Sequence, residues 1–304
     1  MRAATPPEPR RPHHKRRSAG TDTTRRPTEP VGGPDVLSNV RSERVRAVAA
    51  LGRRSVRVRE GLFLAEGPQA VREAVRCRPD AVREIYTDAA GRERCEEILA
   101  DAAAAGIPVR DTTAQVLAAM CDTSAPQGVL AVCRPVDTSL EAVLARDPRL
   151  LVVATTMRDP GNAGTVIRGA DAAGADAVLV GTSSVDVYNP KVVRSAVGSH
   201  FHVPLVLGLD VPALLDRLRE RGIRSLAADG TAATSLFDAD LVTPHAWVMG
   251  NEAWGLPEEI RDRCDDVVRV PIYGKAESLN LAMAATVCLY ASAGVLPGPP
   301  TDLV

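Results

Sequence analysis

The chain reads as an α/β protein: a mostly parallel sheet with helices on both faces, preceded by a smaller αβ unit. Three observations predict this. Strand-like apolar runs alternate with helix-like segments from about residue 36 to residue 293. The strongest runs, such as Leu150–Ala154, are continuously apolar, as strands buried on both faces must be. Several runs then break into loops of small and polar residues, which is where open α/β sheets bind ligands. Hydrophobic residues make up 45% of 304 positions, enough for a core of this size, although aromatics reach only 3%.

The elements follow in order. Residues 1–32 are rich in Pro, Arg, Thr and Gly without apolar periodicity, and are expected to be a disordered basic tail. From residue 33 to 136 a small αβ sandwich is expected. Ser42 caps a helix running to about Leu51. Gly61–Glu66 is a strand, and Gly67-Pro68 opens a helix with the apolar stripe Val71, Ala74 and Val75. Val82–Thr87 is a strand, Arg92–Ala105 a helix ended by Gly106, and Asp111 or Thr112 caps a helix over Ala114–Cys121. Gly128–Cys133 is the last strand, and 137–148 is a linker or short helix. In the larger domain, 149–296, strands are expected at Leu150–Ala154, Ala177–Val180, Val203–Leu207, Ser225–Ala228, Trp247–Met249 and Val267–Val270. Helices follow the Asn162 loop to about Ala173, and cover Lys191–Ser199, Val211–Arg221 and Leu279–Ala293. Residues 297–304 form a short tail. The pattern by itself predicts a plain Rossmann topology.

Charge and cysteines narrow the function classes. The net charge of −1 divides into +5 over residues 1–30 and −6 over the rest, so bulk charge gives no support to a nucleic-acid role for the body. The tail cations Arg10-Arg11 and Lys15-Arg16-Arg17 read as an RNA-attracting arm or as a solubilising extension. Six cysteines without CxxC or Cys/His spacing read as reduced thiols of a cytoplasmic protein, with no metal expected. No run approaches the ~20 apolar residues of a membrane span, and the amino terminus lacks a signal-peptide core. No GxGxxG follows a first strand, which disfavours a dinucleotide oxidoreductase.

Three loops carry the candidate chemistry. Asp159-Pro160-Gly161-Asn162-Ala163-Gly164 leads into a helix bearing Arg168, with Asn162 and Gly164 placed where a ligand meets backbone N–H donors. Gly250-Asn251-Glu252-Ala253-Trp254-Gly255 follows an apolar strand. Val270-Pro271-Ile272-Tyr273-Gly274-Lys275-Ala276-Glu277-Ser278-Leu279-Asn280 precedes the last helix. Together, in this order and spacing, they resemble the SpoU-type (TrmH-like) RNA ribose 2′-O-methyltransferases, over roughly 33–296. Phe63-Leu64-Ala65-Glu66-Gly67 and Pro126-Gln127-Gly128-Val129-Leu130 are similar to the L30e-like substrate-binding domain that precedes many such enzymes.

The resemblance implies a SPOUT-type fold with a carboxy-terminal deep trefoil knot, which no pattern argument produces because knots are otherwise essentially absent. It implies S-adenosyl-L-methionine as cofactor, RNA as substrate with 23S ribosomal RNA favoured over tRNA, and a homodimer with its site completed at a two-fold interface. Asn162, Arg168, Glu252, Ser278 and Asn280 carry over as active-site residues, and Gly250, Val270 and Leu279 as cofactor contacts. Four of them also have a plainer reading: Arg168 as an exposed helical cation, Glu252 as a loop acid, Ser278 as a turn residue, Asn280 as an N-cap. A free guanidinium acting as base near neutral pH costs about 7 kcal/mol, so Arg168 either shares that task with another group or orients the hydroxyl and its phosphate. Lys191 and Arg194, on the helix after Asn189-Pro190, form a candidate phosphate-contact face. Trp254 stacks on a base or packs in the core. Where many relatives have glycine, this chain has Ala253. His200 and His202 read as structural. Base-nitrogen methylation on the same fold, disfavoured by the Asn162–Arg168 pair, and a non-catalytic RNA-binding protein, disfavoured by the intact Arg168, Glu252, Ser278 and Asn280, remain as alternatives.

Overall fold

The computed structural model describes residues 36–251 and 254–296. The first elements are α1 (Glu43–Ala50), α2 (Arg54–Glu60), β1 (Phe63–Glu66), α3 (Pro68–Cys77), β2 (Val82–Thr87), α4 (Ala89–Arg94), α5 (Glu96–Ala104), β3 (Val109–Asp111), α6 (Ala114–Met120) and β4 (Val129–Cys133). Their four strands form a mixed sheet in the order β1-β4-β2-β3, antiparallel except for β2–β3. Then follow α7 (Leu140–Leu144), β5 (Leu150–Ala154), α8 (Pro160–Ala172), β6 (Ala177–Gly181), α9 (Pro190–Ala196), β7 (Leu205–Leu209), α10 (Val211–Glu220), β8 (Arg224–Ala228), β9 (Thr234–Ser235), β10 (His245–Met249), α11 (Glu258–Arg261), β11 (Asp266–Arg269) and α12 (Leu281–Ala293).

The second sheet has seven parallel strands in the order β7-β6-β5-β10-β8-β11-β9. This corrects the plain Rossmann expectation. A Rossmann sheet grows outward from its first strand. Here β10 inserts between β5 and β8, and β11 between β8 and β9, so late strands occupy central slots.

Side chains alternate along the central strands, and both faces are covered. Leu150, Val152 and Ala154 of β5, with Trp247 and Met249 of β10, join one apolar cluster. Leu151, Val153, Ala246 and Val248 join the other, beneath α10. The first cluster continues without a break into Phe63, Ala65, Val71 and Ala74 beside the small sheet. Phe63 lies 4.6 Å from the Tyr188 ring. The Tyr188 hydroxyl donates to Asp137 at 2.7 Å and accepts from the backbone of Val136 and Asp137, which fixes the connecting segment.

Several boundaries differ from expectation, each for a physical reason. Helix α2 was missed because its Val56 and Val58 alternate with arginines like a strand. Burial of Arg57 against Asp186 supplies the stabilisation that its local pattern lacks. Strand β3 is three residues at a sheet edge, below the length that a pattern resolves. The expected helix at Arg92–Ala105 starts earlier, capped by Asp88, and breaks at Cys95. Thr113, not Asp111 or Thr112, caps α6, because Thr112 is bonded to the Thr87 carbonyl. Strand β7 begins after Pro204, which lacks the N–H a ladder needs.

Helix α12 is tied to the sheet by a buried polar knot. His245 Nδ1–H can only donate to the Thr243 carbonyl, at 2.7 Å, so its Nε2 accepts the Ser292 hydroxyl proton at 2.7 Å. Trp247 Nε1–H donates to the same oxygen at 2.8 Å. All three groups are fully buried.

Candidate active site

The carboxyl ends of β5, β8, β10 and β11 meet at one edge of the large sheet. Just past β5, Thr155 donates from its backbone and its hydroxyl to the Met249 carbonyl, at 3.1 and 2.9 Å. Just past β10, Asn251 and Gly255 exchange backbone hydrogen bonds at 2.8 and 2.9 Å, closing a tight turn. Its side chain donates to the Thr156 carbonyl at 3.2 Å. A Cβ on Gly250 would lie 2.3 Å from the Gly255 carbonyl carbon, so glycine is required there by the turn itself.

Between these ends lies a cavity of about 550 Å³. Its apolar lining includes Met249, Val270, Ile272, Leu279 and Leu281, and its polar lining includes Asp229, Glu277 and Ser278. Gly250 contributes to its wall. Thus Gly250, Val270, Ser278 and Leu279, picked from separate stretches of sequence, share one cavity. Burial opposes the Asp229 charge, but hydrogen bonds from the Thr231 hydroxyl and backbone outweigh it. They hold this carboxyl below its ordinary range.

Asn280 is the N-cap of α12. Its Oδ1 accepts from Ala282 N at 2.9 Å and Met283 N at 3.4 Å. Its Nδ2 donates to Asn162 Oδ1 at 2.9 Å. Both the capping reading and the proximity reading therefore hold for one side chain. Asn162 is not in a loop, as expected, but in the first turn of α8, whose N-cap is Asp159. The Asn162–Asn280 bond thus brings two helix amino termini, each carrying partial positive charge, beside the cavity.

Gly164 is not a ligand-facing loop residue. A Cβ there would lie 2.4 Å from the Val192 carbonyl oxygen and 2.5 Å from Ser195 Cβ, so it lets α8 pack on α9. Arg168 stands in the third turn of α8, exposed, with no ion pair among the described residues. Six residues beyond Asn162, it projects about 240° round the helix and about 9 Å along it. It does not line the cavity of its own chain. Glu252 and Ala253 lie outside the described residues, as does the basic tail.

The phosphate-contact face divides. Lys191 is exposed at the start of α9. Arg194 is instead bonded to Glu66 at 3.0 Å and Asp122 at 2.9 Å, so its charge is spent on joining α9 to the small sheet. His200 is buried with Nε2 on the Val187 carbonyl, and burial pushes its pKa down to about 4, which suits a structural group. Trp254 is 71% exposed, which removes the core-packing reading. The Arg158 guanidinium lies 4.9 Å from its ring centre. Arg158 was missed by sequence reasoning; its only signal was a cation one residue before the cap of α8.

Two family models match the chain. The SpoU rRNA methylase family matches 149–290, and the RNA 2′-O ribose methyltransferase substrate-binding domain matches 64–139. A 23S rRNA (guanosine(2553)-2′-O)-methyltransferase of Bacillus subtilis is 31% identical over 254 residues, covering 84% of this chain and 97% of its own length. This chain belongs to the SpoU rRNA methylase family. A 23S rRNA (guanosine-2′-O-)-methyltransferase of Bordetella pertussis is 34% identical over 74% of this chain and 94% of its own. The SpoU methyltransferase AviRb of Streptomyces viridochromogenes, solved with AdoMet, superposes with a TM-score of 0.73 at 31% identity. It covers 83% of this chain and 98% of its own. The family membership makes the protein an S-adenosylmethionine-dependent RNA ribose 2′-O-methyltransferase, and implies the trefoil knot. The cavity is consistent with that cofactor: its volume lies within the ordinary range for a small-molecule site, with a mostly apolar lining and a few polar groups.

Proposed function

We propose that this chain methylates a ribose 2′-hydroxyl of 23S ribosomal RNA, and does so as a two-fold homodimer. The relatives named above act on 23S rRNA. The observation that carries the site assignment is the 2.9 Å Asn280–Asn162 bond, which joins residues 118 apart beside the cavity bearing Gly250, Val270, Ser278 and Leu279. When bound, the cofactor supplies an electrophilic methyl group on a sulfonium. The residues of this chain bind it along Val270 and Leu279, hold the acceptor side through Asn162 and Asn280, and stabilise the neighbouring phosphate through Arg168.

Transfer would form a C–O bond as the sulfonium's S–CH3 bond breaks to leave a neutral thioether, and the hydroxyl proton released needs an acceptor. Glu252 and Arg168 with a substrate phosphate are the proposed candidates. The dimer is supported by the position of Arg168 away from its own cavity. It is also supported by the open apolar stripe Met283, Val287 and Tyr290 on α12, which packs directly on α8. A two-fold partner covering that stripe brings a second Arg168 to the site.

Mapping 2′-O-methyl groups in total RNA with and without the protein tests the substrate. The expected result is one 23S rRNA position lost. A lost tRNA position would replace the substrate, and an unchanged map would favour a non-catalytic RNA-binding role. An RNA with 2′-deoxyribose at the mapped position should accept no methyl group.

A further inference from the structure

Helix α3 carries Glu73 and Cys77 four residues apart, so both side chains lie on one face, a turn apart. That face meets His202, in the turn that follows α9. The Glu73 carboxylate, the Cys77 sulfur and a His202 ring nitrogen lie within 4.8 Å of one another. His202 Nε2 is 3.2 Å from Glu73 Oε2, and its Nδ1 is 2.9 Å from Asp171 Oδ2 on α8. A neutral imidazole has one N–H, yet both ring nitrogens here face carboxylate oxygens. Whichever nitrogen bears that proton, the other opposes a carboxylate lone pair with a lone pair of its own. A second cation belongs in that gap: either another proton or a metal ion.

We propose that Glu73, Cys77 and His202 form a site for one zinc-like divalent metal ion, with Asp171 orienting the histidine. The ligand set fits this chemistry. A thiolate, an imidazole and a carboxylate are the donors such ions take, and three protein ligands leave a fourth position for water. Two ligands at about 2.0–2.1 Å from a tetrahedral ion stand about 3.3 Å apart, close to the Oε2–Nε2 spacing observed. Asp171 accepts from Nδ1 as the carboxylate behind a metal-bound histidine does, and so presents the Nε2 lone pair to the ion. The other Glu73 oxygen accepts from Arg72 at 2.7 Å, which holds that carboxylate in place. The ion would clamp α3, beside the small sheet, to the turn that carries His202, which Asp171 ties to α8, the helix that bears Asn162 and Arg168. The site is separate from the cavity and does not depend on the substrate assignment.

The test uses the full chain, reduced with a non-chelating phosphine and stripped of metal with a chelator. Titration with Zn²⁺ by calorimetry and with Co²⁺ by absorbance should give one ion per chain and a thiolate–cobalt charge-transfer band. Cys77→Ser should abolish the band, while Cys264→Ser, distant in the fold, should keep it. Asp171→Asn should weaken binding by about 10–100-fold, and His202→Ala at least as much. Cys77 is exposed, so Cys77→Ser is expected to fold, and circular dichroism checks it. Two results would overturn the proposal: no saturable binding at micromolar Zn²⁺, or binding equally tight in Cys77→Ser and His202→Ala. Either would leave a proton as the cation between His202 and its carboxylates.

Discussion

Asn280 separates a capping role from a catalytic one, because a single substitution can keep one and remove the other. Its Oδ1 caps α12 through Ala282 N, and its Nδ2 donates to Asn162. Asn280→Ala removes both. Loss of such a cap costs about 1 kcal/mol, which in a protein of this size lowers the melting temperature by about 2–4 °C. Asn280→Asp keeps an acceptor at the cap, so stability should stay within about 0.5 kcal/mol of the parent. The aspartate, however, offers no proton to Asn162 Oδ1. Asn162 can meet it only by turning its amide round, which reverses the donor and acceptor it offers its other neighbours. Misplacing the acceptor side by about 1 Å in this way costs on the order of 100-fold in rate. Thermal melts and initial rates of methyl transfer at saturating donor and RNA measure the two effects. The expected pattern is Asp stable but slow, Ala both unstable and slow. Full turnover by Asn280→Asp would show that Asn280 is a cap alone, and the active-site reading of the Asn162–Asn280 bond would fail.

Three further predictions follow from the same geometry. Arg168→Ala should abolish most turnover while leaving donor affinity by calorimetry unchanged. Mixing it with Asn280→Ala should restore activity, because each mixed dimer then holds one intact site; no recovery would place Arg168 in its own chain's site or nowhere near it. Ser292→Ala leaves the buried Trp247 N–H and His245 Nε2 without partners, at about 1–3 kcal/mol each. Urea unfolding should register at least about 2 kcal/mol, and a loss near zero would mean that water replaces the hydroxyl. Burial holds the His245 imidazole below its ordinary pKa. The unfolded chain therefore binds the proton first, and stability should fall as pH drops below about 6.5; His245→Gln should flatten that part of the melting-temperature profile, and an identical slope would place the titration elsewhere.

Much of this protein is written locally. The strand at Leu150–Ala154 matches its sequence range because a central parallel strand needs an uninterrupted apolar run, and few other structures tolerate one. Gly250, Val270, Ser278 and Leu279, which the family resemblance implied, line one cavity because carboxyl-end loops of a parallel sheet converge. Tertiary structure decided the rest. Strand order depends on which edge a returning segment finds open, and no periodicity encodes the insertion of β10 between β5 and β8. Arg194 looked like a phosphate contact until Glu66 and Asp122, far away in sequence, claimed its charge. Helix α2 carried no readable helical pattern, and burial of its Arg57 against Asp186 stabilises it. Gly164 looked like a ligand-loop glycine until α9 filled the space above it. In each case the local pattern states what a residue can do, and a partner more than 25 positions away selects what it does, because pairing and packing energies depend on distance in space rather than along the chain.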